Sequence, residues 1–115
     1  MEENKDLYDL GQLQAIAKGN TAFVNRMISL FAEQAPRTTA EIKEAYQQGE
    51  WEKLKALAHR LKPSIDNMGI LSLKQEVRQI ESLAARGTDA EELPALIDKM
   101  EKVIGQVVQT LKPVA

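Results

Sequence analysis

The sequence predicts an all-α protein: an antiparallel four-helix bundle with a short additional N-terminal helix. Apolar residues recur at spacings of three and four along nearly the whole chain. No strand-length window alternates β-branched or aromatic residues with polar ones. Glycines punctuate the periodic segments at Gly19, Gly49, Gly69 and Gly87.

The first segment, residues 7 to about 18, turns Leu10, Leu13, Ile16 and Ala17 inward, and Gly19 ends it before Asn20 caps the next. The second runs from 21 to about 48 with Phe23, Met27, Leu30, Phe31, Ala35, Thr38, Ile42 and Ala45 on its inner face. Pro36 is expected to kink or divide it, because proline lacks the amide of an interior helical residue. The third, from 50 to about 68, buries Trp51, Leu54, Leu57, Ala58, Leu61, Ile65 and Met68. Its stripe keeps phase through Pro63, so the helix is expected to continue past that residue with a bend. The fourth follows Ser72, with a Ser72-to-Gln75 capping box and Leu73, Val77, Ile80, Leu83 and Ala84 inward, and stops at Gly87. The fifth opens on a second capping box, Thr88 to Glu91, tolerates Pro94 near its start, and packs Leu93, Leu96, Ile97, Met100, Val103, Ile104, Val107 and Leu111.

Composition narrows the function. The 115 residues fit a single domain, 1–115, with no internal repeat and no dividing linker. Fifteen basic and seventeen acidic residues leave a net charge of -2 without a basic tract, so nucleic acid is not an expected partner. No apolar run has the length of a membrane span, the start is acidic and polar, and cysteine is absent. The expectation is a cytoplasmic monomer that binds neither membrane nor metal and carries no cofactor.

The sequence contains no glycine-rich phosphate loop after a strand, no His-Glu-x-x-His spacing and no Gly-x-Ser-x-Gly elbow. Carboxylates lie scattered among lysines along solvent faces, as solvated charge does. The one histidine is His59. At 100° per residue it falls about 160° from the centre of the third helix's apolar stripe, so its ring faces solvent. Lys55, Lys62 and Asp66 share that face, and the compact Ala56 and Pro63 leave the ring approachable. Spacing alone leaves an ordinary surface histidine as an open reading.

Residues 58–70 read Ala-His-Arg-Leu-Lys-Pro-Ser-Ile-Asp-Asn-Met-Gly-Ile. This string resembles the signature of histidine-containing phosphotransfer (HPt) domains, His-x-Leu-Lys-Gly-Ser-(Ser/Ala)-x-x-x-Gly-(Ala). His59, Leu61, Lys62, Ser64 and Gly69 match it. Pro63 stands where the family has glycine, Ile65 where it has a small residue and Ile70 where it often has alanine. Phe23 to Phe31 with Ala35-Pro36, and Gly49-Glu50-Trp51, resemble the family's preceding segments, so the likeness spans nearly the whole chain.

The resemblance implies a phosphocarrier without kinase activity of its own. His59 would accept a phosphoryl group on Nε2, and Lys62 would stabilise its charge. Lys55, Pro63 and Asp66 would contribute to binding. The partner would be the receiver domain of a response regulator or hybrid histidine kinase, which brings the aspartate and Mg²⁺. Ile65, Met68 and Ile70 are candidates for its docking rim. Two readings compete: a phosphorylation-independent helical adaptor for a receiver or kinase, and a helical homodimer whose seam is the stripe of the last helix. A carboxylate metal enzyme is a more distant third.

Overall fold

A computed structural model describes residues 7–112, and among these the chain forms five helices and no strand. They are α1 (Gly11–Ala17), α2 (Thr21–Gln47), α3 (Trp51–Asn67), α4 (Leu71–Ala84) and α5 (Leu93–Thr110). The ends of the expected 1–115 domain, residues 1–6 and 113–115, lie outside the described residues. α2 to α5 form the antiparallel bundle: α3 packs against α2 and α4, and α5 closes the ring against the same two. α1 lies on α2, and α2 sets the 45 Å long axis of the molecule. Among the described residues no helix is long and apolar enough to cross a membrane.

Asn20 caps α2 through its side-chain oxygen, which accepts the Phe23 amide at 3.0 Å. The helix runs undivided through Pro36. Its buried row is Val24, Ile28, Phe31, Ala35, Thr39, Ile42 and Ala45, so Phe23, Met27, Leu30 and Thr38 are not the core positions expected of them. The apolar band on α2 is wider than one stripe, and the row facing the bundle axis lies one residue beyond the bulkier one. Thr39 is satisfied inside the core because its hydroxyl donates to the Ala35 carbonyl at 2.8 Å.

α3 likewise continues through Pro63 to Asn67. It ends in a Schellman turn: the Gly69 amide donates to the Asp66 carbonyl and the Ile70 amide to the Ile65 carbonyl, both at 3.1 Å. Ile65 and Ile70 are buried together beneath that turn. The reversal is so tight that α4 starts at Leu71, with Ile70 at its N-cap and no side-chain cap. Ser72 therefore lies inside the helix, and the expected Ser72-to-Gln75 box does not form. The Thr88-to-Glu91 box is absent too. α5 starts at Leu93, which is fully buried and anchors the first turn ahead of Pro94.

α1 begins four residues later than its pattern suggested, because residues 7–10 cross the end of the bundle instead. The Asp9 amide donates to the Met68 carbonyl at 3.1 Å, and the Asp9 carboxylate accepts the Gly11 amide at 2.9 Å. Leu13 is the buried contact of α1, whereas Ile16, expected inward, is exposed. This strap holds the α3–α4 turn in place from outside.

Candidate functional site

Gly69 makes α3 and α4 an antiparallel hairpin, so residues at similar distances from the turn come face to face. Asp66 and Arg78, 12 residues apart, meet first, and His59 and Glu81, 22 apart, meet farther from the turn, about two helical turns back along α3 and about one turn on along α4. The seam between the two helices thus carries a polar cluster outside an apolar core.

His59 has 67% of its side chain exposed, and its Nδ1 lies 2.7 Å from Oε2 of Glu81. A carboxylate only accepts, so the neutral ring donates from Nδ1–H and carries its lone pair on Nε2. Nε2 has no partner among the described residues. The other oxygen of Glu81, Oε1, holds the Lys62 ammonium at 2.7 Å. One carboxylate therefore fixes both side chains. The Lys62 bond, with a smaller contribution from His59, holds the Glu81 carboxyl below the usual carboxylate range, against the opposing effect of partial burial.

Asp66 is engaged by Arg78 through both oxygens, at 2.7 and 3.3 Å, and Arg78 also donates to the Lys74 carbonyl at 2.9 Å. Lys55 is exposed and makes no ion pair among the described residues. Pro63 is also exposed but faces the other flank of α3. There it borders a groove of about 540 Å³ between α2 and α3, with Met27, Leu30, Thr38 and Ser64 among its walls. Of the sequence-derived site residues, the structure brings His59 and Lys62 together on Glu81, gives Asp66 a different partner, and separates Pro63 from all three. Ile65, Met68 and Ile70 are buried in the core and form no exposed rim, and of the three only Met68 borders the floor of that groove. The stripe of α5 is consumed inside the bundle against α2 and α4, which removes the observation behind a dimer seam. Among the described residues no group of three or more His, Cys, Asp or Glu side chains is arranged to hold a metal.

Glu81 and Arg78 were missed by the sequence reading. Along α4 they look like any solvent-facing charges, and only hairpin pairing about Gly69 gives a signal for them.

A family model described as the Hpt domain matches residues 26–110. The chain belongs to the Hpt domain family. Hpt domains are phosphocarrier modules of two-component phosphorelays: they take part in histidine phosphotransfer and interact with receiver domains. In this Hpt domain the matched segment holds most of α2 and all of α3, α4 and α5, including every member of the polar seam, and α1 precedes it. No curated protein and no solved structure matches the chain.

Proposed function

We propose that His59 carries the phosphoryl group, accepting it on Nε2 from the aspartyl phosphate of a receiver domain and returning it to such an aspartate. The observation that carries this reading is the Glu81–Nδ1 hydrogen bond, which leaves Nε2 as the nucleophilic nitrogen of an exposed ring. In transfer, the Nε2 lone pair attacks phosphorus, a P–N bond forms, and the P–O bond to the aspartate breaks with its electrons leaving on the carboxylate. The Nδ1 proton stays in place. The ring's positive charge is met by Glu81, and the reverse step releases a neutral imidazole already in the right tautomer.

Lys62 supplies positive charge to the phosphoryl oxygens, for which it exchanges its bond to Glu81, and Lys55 adds charge from one turn before the histidine. Asp66 serves the site through Arg78. The receiver docks over the exposed face of α3, reaching from His59 on one flank to the α2–α3 groove on the other, with Pro63, Met27 and Leu30 as contacts, in a transient interface of modest area. Residues 1–115 act as one cytoplasmic, monomeric carrier with no nucleotide site, no metal and no kinase activity. Incubation with a phosphorylated receiver is expected to label the protein, and incubation with ATP alone to leave it unlabelled. Labelling by ATP in a kinase-free preparation contradicts the carrier reading.

A further inference from the structure

We infer that the Asp66–Arg78 pair is a positioning device for the phosphoacceptor: it fixes α4 against α3 so that Glu81 meets His59 Nδ1. The inference rests on His59 being the phosphoacceptor.

Glu81 does not secure its own position. Of its two partners, His59 is a largely exposed ring and Lys62 ends a flexible stem, so both follow the carboxylate rather than anchor it. The apolar core beneath sets which faces of α3 and α4 meet, and a polar tie at the outer edge of the seam adds a restraint where the side chains of the site emerge. Arg78 is different. Its planar fork spans both oxygens of Asp66 on α3, while a third bond to the Lys74 carbonyl ties the guanidinium back to its own helix. These bonds restrain both the rotation and the axial position of α4 relative to α3. Arg78 lies one turn from Glu81, and Asp66 one turn from Lys62, so the restraint acts on the next layer of the same seam. A shift of about 1 Å in the relative position of the two helices would bend and lengthen the 2.7 Å contact away from its best geometry. The two side chains are roughly one-third exposed, and such a pair contributes little to global stability. Geometry at the histidine is the effect left to it.

The test charges the protein with phosphoramidate, a donor too small to sense a docking surface. Its P–N bond breaks, ammonia leaves, and the new bond forms to His59 Nε2. Arg78→Ala is expected to slow charging about 3- to 10-fold, with Asp66→Asn acting in the same direction and Arg78→Lys recovering part of the loss. If Arg78 acts through Glu81, adding Arg78→Ala to Glu81→Gln changes the rate by less than about 1.5-fold, because contacts in one chain of dependence are not additive. The ¹⁵N shifts of the His59 ring give a second readout: the Nδ1–H form is expected to lose population in Arg78→Ala while the fold is kept. Rates for Arg78→Ala and Asp66→Asn within twofold of the parent, an unchanged tautomer, or a full additional loss in the double variant would overturn the inference. A parent protein that takes no phosphate on His59 would instead refute the proposed function.

Discussion

Glu81 on α4 accepts the Nδ1 proton of His59 on α3 at 2.7 Å while its second oxygen holds Lys62 at the same distance. A single carboxylate thereby sets the tautomer of the ring and parks the nearest ammonium beside it. The geometry at His59, the proposed phosphoacceptor, is thus a property of the α3–α4 hairpin, and the turn that builds the hairpin bears on that geometry as much as the histidine does.

Lys62→Ala removes the ammonium that charge on a moving phosphoryl group would draw away from Glu81. Transfer to and from a receiver is expected to slow about 10- to 100-fold, or about 1.4 to 2.7 kcal/mol. Quench-flow measurement against the parent checks this, and a rate within twofold would leave Lys62 a ligand of Glu81 alone.

Glu81 also gives stability a definite pH dependence. Its carboxyl is held below the ordinary value near 4.5 by Lys62 and then His59, so its contribution is complete above that value and is lost as pH falls through the lower, folded one. Between about pH 5 and pH 3 the parent is expected to lose more stability than Glu81→Gln, so their urea midpoints converge. A constant gap across that range contradicts the assignment.

Gly69→Ala tests the hairpin. Gly69 has φ +63°, and a methyl group there would collide with the Asp9 backbone of the strap. Destabilisation of about 2 to 4 kcal/mol is expected. Gly87 has φ +73° with open space around it, so Gly87→Ala isolates the backbone cost, about 1 kcal/mol. Equal losses in denaturant titrations would show that the strap contact is immaterial.

The position of His59 was legible because helix geometry is local: an advance of 100° per residue sends its ring away from the core without knowledge of any partner. Gly49 and Gly69 were legible for a similar reason, since glycine at a left-handed C-cap needs only its own backbone. The partner of the ring was not legible. Glu81 acquires its role only when α4 lies against α3 in one register, and a solvent-facing glutamate carries no mark of that. On α2 the expected Phe31, Ala35, Ile42 and Ala45 are core, but Phe23, Met27 and Leu30 are bulky enough to look like core while Phe23 is exposed and Met27 and Leu30 border the groove. The expected boxes at Ser72 and Thr88 failed where a buried residue, Ile70 or Leu93, set the helix start instead.

His59→Gln is expected to leave the melting profile within about 1 kcal/mol of the parent, since the ring is exposed and contributes one hydrogen bond. A loss above about 2 kcal/mol, read from denaturant curves, would make the ring a structural element.

The central claim is tested most directly by mapping the phosphate. The parent and His59→Gln are each incubated with a phosphorylated receiver domain, and the site is located by mass spectrometry and ³¹P NMR. The account predicts a single acid-labile, base-stable phosphate on Nε2 of His59, returned to fresh receiver on mixing and absent from the folded His59→Gln variant. Phosphate on Nδ1, label at another residue, or equal labelling of His59→Gln would contradict it.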